Sequence, residues 1–245
     1  MIKTRLRLLT AALLLPFLGV ACSSGGGDNS KCKGKETATE RLFLQQLSDT
    51  SVIIKWRGAA SAACIGTVQG KMAIYADATE TAGGDKEALF SGLKPEVTYF
   101  YSIGGAKTAP DGQSFTTSPI SGKLSADLNT RIWLIGDSGT ATDESHEGEA
   151  AEVLSGLNKY IAKDGEAVDV FMMLGDNAYQ VGTDVDYQQA VFEVYSDLLK
   201  KVSVWPTIGN HEMGVGKGIA LPGFDITSDP DSYIPTGGVP SSRMP

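Results

Sequence analysis

The stretch "AVDVFMMLGDNAY", residues 167–179, decides how the second half of the chain folds. Its apolar run stops at Gly175, and Asp176 and Tyr179 follow at once. A short continuous apolar run bounded by turn residues reads as a strand of a buried parallel sheet. Two other stretches repeat the arrangement: "RIWLIGDSG" (131–139) ends in Gly136-Asp137, and "VSVWPTIGNHE" (202–212) ends in Gly209-Asn210-His211-Glu212. Helical patterns separate the three. "EAAEVLSGLNKYIAK" (149–163) carries Val153, Leu154, Leu157, Tyr160 and Ile161 at helical spacing, behind an acidic stretch that suits a helix N-terminus. "DYQQAVFEVYSDLLKK" (186–201) reads as a second amphipathic helix, with Asp186 and Gln189 at capping-box spacing. The order β-α-β-α-β predicts a mostly parallel sheet with helices on its faces.

The residues before this region have a different texture. "SVIIKWRG" (51–58), "KMAIYAD" (71–77), "VTYFYSIGG" (97–105) and "QSFTTS" (113–118) are strand candidates punctuated by Gly and Pro, as in a small all-β sandwich. Trp56 is its expected core aromatic. Leu93, Pro95 and Tyr99 in "GLKPEVTYFYSI" (92–103) resemble the fibronectin type III pattern, in which Tyr99 would bond backbone at a sheet corner.

The N-terminus reads as an export signal. Lys3, Arg5 and Arg7 precede an apolar stretch from Leu8 to Val20, too short to span a bilayer as a helix. Cys22 follows, and the segment resembles a bacterial lipoprotein signal, which implies a lipid anchor at that cysteine. The expected organisation is therefore a signal (1–22), a Gly/Ser/Lys-rich tether (23–38), an all-β domain (39–118), a polar linker (119–129) and the α/β region (130–245). Cys32 and Cys64 remain; an oxidising compartment permits them to pair, and two isolated cysteines do not make a zinc site. The 245-residue chain has a formal charge of −8, which disfavours non-specific binding to nucleic acid.

In a parallel sheet the three C-terminal strand ends lie along one edge, where ligands bind. Asp137, Asp176, Tyr179, Asn210 and His211 would meet there. Each has a plainer reading: turn residues for the carboxylates, a packing aromatic for Tyr179, a buried structural imidazole for His211. The threefold repeat of Gly followed by Asp or Asn argues against coincidence. Two neighbouring carboxylates repel unless a proton or a cation joins them. A phenol with a pKa near 10 ligates only a strong Lewis acid, which points to ferric iron beside a divalent metal. Such a pair suits phosphate ester hydrolysis.

"GDSG", "GDNAY" and "GNHE", in this order at strand ends, resemble the metallophosphoesterase superfamily, and within it the purple acid phosphatases. The Tyr after the second motif and Gly139, where many superfamily members carry a metal-binding His, make the finer likeness. It implies an α/β metallophosphoesterase sandwich preceded by a fibronectin III-like domain. Asp137 and Tyr179 would ligate Fe(III), Asp176 would bridge, and Asn210 would hold the divalent metal (Zn, Mn or Fe). His211 would bind phosphate or protonate the leaving oxygen. Glu212 is expected to hold a neighbouring turn or ligand in place.

The same resemblance requires later histidine motifs. The chain has two histidines in all, His146 and His211, and His146 reads as a loop residue. One face of the three strands would also lack its covering layer. The expectation is an N-terminal piece of a longer protein, inactive or nearly so by itself. The phosphate ester substrate is expected to be a monoester, hydrolysed outside the cytoplasm by a secreted or lipid-anchored protein. The alternatives are a phosphodiesterase or nucleotidase, and a non-catalytic surface binding lipoprotein.

Overall fold

The computed structural model describes residues 31–81, 83–140, 149–165, 167–179 and 181–212. The export segment with Cys22, the first half of the tether (23–30), His146, and the acidic residues Asp225, Asp229 and Asp231 lie outside the described residues.

The N-terminal region is a sandwich of two antiparallel four-stranded sheets. One has the order β1 (Glu40–Gln45), β2 (Ser51–Arg57), β6 (Lys86–Ser91), β5 (Thr79–Glu80). The other has β4 (Ile74–Asp77), β3 (Ala62–Gly66), β7 (Thr98–Ile103), β8 (Ser114–Thr116). Alternate residues of both sheets fill one core, among them Val52, Ile54, Trp56, Ile65, Phe90, Tyr101 and Phe115. Trp56 is fully buried, and its indole N–H donates to the Ala60 carbonyl at 3.3 Å, so the ring brings no unpaired donor inside. Tyr99 behaves as its spacing predicts: its hydroxyl accepts the Lys94 N–H at 3.0 Å.

Strands β1, β3 and β6 have no clear sequence signature. All five residues of β3 are buried, so it lacks the alternation that marks a half-exposed strand. Cys32 and Cys64 are disulfide-bonded, which ties residue 32 to β3. Residues 31–37, expected as the end of a flexible tether, pack on the sandwich instead: Gly34 N–H bonds Gly105 O at 2.8 Å, and Glu36 accepts the Ile103 N–H at 3.0 Å. Closing a loop of this length stabilises a fold by roughly 3–4 kcal/mol.

The second region is a parallel three-stranded sheet in the order β11 (Val204–Pro206), β10 (Val170–Met173), β9 (Ile132–Ile135). Helix α1 (Glu149–Asp164) connects β9 to β10. The second predicted helix is a broken one: α2 (Asp184–Tyr187), a π-helical stretch (Gln188–Glu193) and α3 (Ser196–Leu199). Its start also differs. Thr183 is the N-cap, and its side chain and that of Asp186 bond each other's backbone N–H groups reciprocally. The capping box thus lies three residues earlier than predicted, because Thr183 supplies the oxygen that Asp186 was expected to supply.

One face of this sheet packs on the broken helix. Trp133 stacks on Phe171 at 4.8 Å, and Tyr195 meets Phe171 edge-on. The other face is open among the described residues: Ile132, Leu134 and Trp205 are 49%, 53% and 45% exposed. Buried on that face, side chains of this size would each contribute roughly 1.5–3 kcal/mol.

β1 joins the two regions. Leu42 and Leu44 point into the sandwich core, while Phe43 points into the core of the parallel sheet, 5.4 Å from Phe192. A bulge between Glu40 and Phe43 sets this arrangement. Beside it, Arg41 and Arg57 both bond the Asp184 carboxylate at the start of α2. Hydrogen bonds from Arg57 and then Arg41 hold the Asp184 pKa down to about 2. A depressed carboxylate pKa adds stability above the unfolded-state value, and that stability is lost as pH falls through the folded value. Asp184→Asn should therefore lower stability at neutral pH. Its deficit against the parent should shrink between roughly pH 4 and pH 2, as measured by urea unfolding across that range.

Candidate metal centre

The register of the parallel sheet fixes what meets at its edge. Met173 pairs with Ile135 on one side and Pro206 on the other, so the three strands run out together. Each then enters a turn that begins with or contains a glycine. Gly175 has φ of +103°, and a Cβ there would stand 2.9 Å from the Gly209 Cα. Asp137 and Asp176 themselves have φ of 52° and 51°. Left-handed backbone is costly for a residue with a side chain, and Asp is among those that tolerate it best. Both carboxylates carry this strain, which is characteristic of functional turns.

The first two turns interlock. Asp137 N–H donates to Gly175 O at 3.1 Å, Gly139 N–H to Asp176 O at 3.0 Å, and Tyr179 N–H to Gly139 O at 3.0 Å. A Cβ on residue 139 would fall 2.5 Å from the Ala178 nitrogen and 2.7 Å from that of Tyr179. No side chain, imidazole included, fits there without parting the two turns. This is a physical reason for the glycine at a place where the sequence resemblance would also admit histidine.

Glu212 locks the second turn to the third. Its carboxylate is buried; one oxygen accepts the N–H groups of Asn177 (2.6 Å) and Ala178 (3.0 Å), and the other those of Asp176 (3.0 Å) and Gly209 (2.7 Å). Burial pushes the Glu212 pKa up, the N–H bonds oppose it, and the Asp176 charge adds to the rise. Asn177, also fully buried, donates from its side chain to Thr207 O at 2.8 Å and ties the same two turns. The holding role of Glu212 is the one expected from the sequence; that of Asn177 is not. Its position directly after the carboxylate is the only sequence signal for it.

The expected site residues lie around these turns. Tyr179 donates its hydroxyl to the Asp137 Oδ1 at 3.2 Å. Asp176 is buried, and its Oδ1 accepts the backbone N–H of His211 at 2.9 Å. The His211 ring stands edge-on to Tyr179, with ring centres 4.3 Å apart. Asn210 is exposed and sits between Gly209 and His211, both of which touch Asp176. Burial, followed by the charges of Asp176 and Asp137, raises the Tyr179 pKa, so the phenol keeps its proton in the metal-free chain.

Residues 130–239 match the model of the calcineurin-like phosphoesterase family. The match includes all five expected site residues and Glu212. Among solved structures, one described as "Structure of PhoD" is similar over 70% of this chain and 38% of its own, with 14% identity and a TM-score of 0.46. A putative alpha amylase from Salmonella typhimurium is similar over 69% of this chain and 33% of its own, with 14% identity and a TM-score of 0.23. The chain thus spans well under half the length of either. None of the curated proteins compared with the chain matches it.

The phosphoesterase family typically carries a dinuclear metal centre, and the donors present suit a hard cation: two carboxylates, a phenol and an amide on adjacent turns. Among the described residues no three His, Cys, Asp or Glu side chains come together as a metal site. Glu212 is the support whose loss is easiest to read. Glu212→Gln keeps one acceptor oxygen and turns an amide N–H₂ toward two backbone donors. It should lower stability by about 2–4 kcal/mol in chemical denaturation, as expected for charge-assisted bonds lost in a buried place.

Proposed function

We propose that the chain carries the front half of a purple acid phosphatase-type centre and serves the hydrolysis of phosphate monoesters. The observation that carries this reading is the phenol of Tyr179 at 3.2 Å from a carboxylate oxygen of Asp137, one turn from the buried Asp176. A phenol among carboxylates is a poor ligand for Mg or Ca and a good one for ferric iron.

Asp137 and Tyr179 would hold the ferric ion, Asp176 would lie between the two metals, and Asn210 would face the divalent one (Zn, Mn or Fe). Bound there, the metal pair would supply Lewis acidity at phosphorus. The protein's own part is to fix these oxygens. The interlocked turns aim the two carboxylates, and Glu212 keeps Asp176 from relaxing out of its left-handed backbone. His211, against the Tyr179 ring and bonded through its backbone N–H to Asp176, would give a proton to the departing oxygen.

The N-terminal sandwich is proposed to be fibronectin III-like, on the Tyr99 corner bond and its two packed antiparallel sheets. An extracytoplasmic place is supported by the Cys32–Cys64 disulfide, a bond at home in oxidising compartments, and a lipid anchor at Cys22 is proposed on the signal-like N-terminal sequence. One second reading is a non-catalytic surface protein with a phosphatase-like region, in keeping with the finding that among the described residues no three His, Cys, Asp or Glu side chains come together as a metal site.

The test is optical and chemical. With ferric iron and zinc added, the phosphoesterase region joined to its further ligands should show a visible phenolate-to-iron band and hydrolyse p-nitrophenyl phosphate. Tyr179→Phe should abolish the band. The 245 residues alone should turn over little or nothing. A band that persists in Tyr179→Phe, or robust turnover by the 245-residue chain, would sink this assignment.

A further inference from the structure

The contact between the sandwich and α2 is built at a cost that packing alone does not explain. Arg41 lies in the β1 bulge with φ of 50°, a left-handed backbone that few residues with side chains adopt. Bulges re-aim side chains, and this one turns Arg41 out of its own sheet. The guanidinium is buried. Its Nε donates to Gln188 Oε1 at 2.7 Å, its Nη1 to Asp184 Oδ1 at 2.8 Å, and its Nη2 to Asp184 Oδ2 at 2.9 Å and Asp184 O at 2.7 Å. Its plane covers the Phe192 ring at 4.8 Å. Arg57, whose residue pairs across from Glu40, takes both Asp184 oxygens a second time, at 2.9 and 3.1 Å, while Asp85 holds its Nε at 2.9 Å. Two arginines of one region therefore grip a single carboxylate of the other.

Asp184 is five residues after Tyr179, and the described residues 181–183 before it are each tied. Thr183 caps α2, and its N–H bonds Asp186 Oδ2 at 3.0 Å. Val181 N–H reaches the same oxygen at 3.4 Å. Gly182 N–H bonds Ala178 O at 3.0 Å, and Gly182 lies against Glu212, so that a Cβ there would be 3.0 Å from the Glu212 Cα. A displacement of Asp184 passes to the Tyr179 turn through Gly182, which is bonded to Ala178 and packed on Glu212, the residue that holds the Ala178 N–H. Charge-assisted, bidentate arginine contacts are the kind that fix geometry as well as add energy.

We propose that Arg41 and Arg57 of the sandwich are positioning residues for the Tyr179 turn: by gripping Asp184 they set where the phenol stands against Asp137 and His211. The sandwich is then a working part of the site, not an independent module joined by a linker. This rests on the phosphatase-type reading only in treating Tyr179 as a site residue.

The test uses the 245-residue chain without metal. In Asp184→Asn, the hydrogen-bonded amides of Tyr179, Val181, Gly182 and Thr183 should gain about tenfold more exchange than the amides of β9 and β10, which speed up only by the global loss of stability. The His211 ring-proton shifts, which report the Tyr179 ring 4.3 Å away, should move in the same variant. Arg57→Lys, at a side chain 30% exposed, should give a smaller change in the same direction, and it provides the same readouts if Asp184→Asn fails to fold. Combined with Asp184→Asn it should add little, as for two groups acting through one contact. Unchanged exchange and shifts in these variants would overturn the proposal. So would an equal acceleration across the strands, which is the mark of plain destabilisation. Neither readout needs metal or turnover, so the failure of the phosphatase-type reading would show separately, in the visible band.

Discussion

The site hangs on one buried carboxylate. Glu212 accepts four backbone N–H groups, three from the turn after β10 and one from the turn after β11. Those donors face inward at strand ends, where no sheet partner is left for them, and buried N–H groups without acceptors are costly. A single side chain with two oxygens and four lone-pair sites meets the whole need. The consequence is geometric. With Asp176, Asn177 and Ala178 fixed by their nitrogens, the Asp176 side chain has few places to go, and the neighbouring turn docks on it through Gly139. The aim of both carboxylates thus results from backbone satisfaction, before any ligand is considered.

A second constraint works at larger scale. β1 is an edge strand, and exposed edges invite wrong partners. Here the edge is covered by the chain's own second region: Leu44 makes a bridge with Ser203, Phe43 enters the second core, and Tyr101 donates its hydroxyl to Lys200 O at 2.8 Å. Lys55, buried beside Phe43 with its amine 5.7 Å from that ring, has its pKa lowered by burial and supported by Glu87. Such a surface, with an aromatic anchor and buried charges that are paired, belongs to regions that stay together.

Much of this was legible in the chain. Three apolar runs ending in Gly-Asp, Gly-Asp and Gly-Asn, spaced by helical patterns, were enough for a parallel sheet with polar residues at one edge. The pairing of β9, β10 and β11 agrees with that reading. The capping of α2 did not, since Thr183 and Asp186 satisfy the same local rule as Asp186 and Gln189. Sequence alone could not choose between them. The π-helical stretch at Gln188–Glu193 was hidden for a similar reason. A π turn changes the hydrogen-bond partner without changing which residues are apolar. Arg41 carried no signal at all: its role depends on a bulge in β1 and on a carboxylate 143 positions later in the sequence.

The sequence by itself determined which residues reach the edge of the sheet, because hydrophobic runs and glycines act locally and fix where each strand stops. It also determined the chemistry on offer, two carboxylates, a phenol, an amide and an imidazole, because residue types are read directly. The tertiary structure alone decided how those groups stand to one another. Tyr179 meets Asp137 where Gly139 lets two turns touch, Asp176 keeps its left-handed backbone with its nitrogen bonded to Glu212, and the start of α2 is gripped at Asp184 by one arginine from each of two distant strands. Each of these is a contact between segments far apart in the chain, and no local pattern records the distance that folding closes.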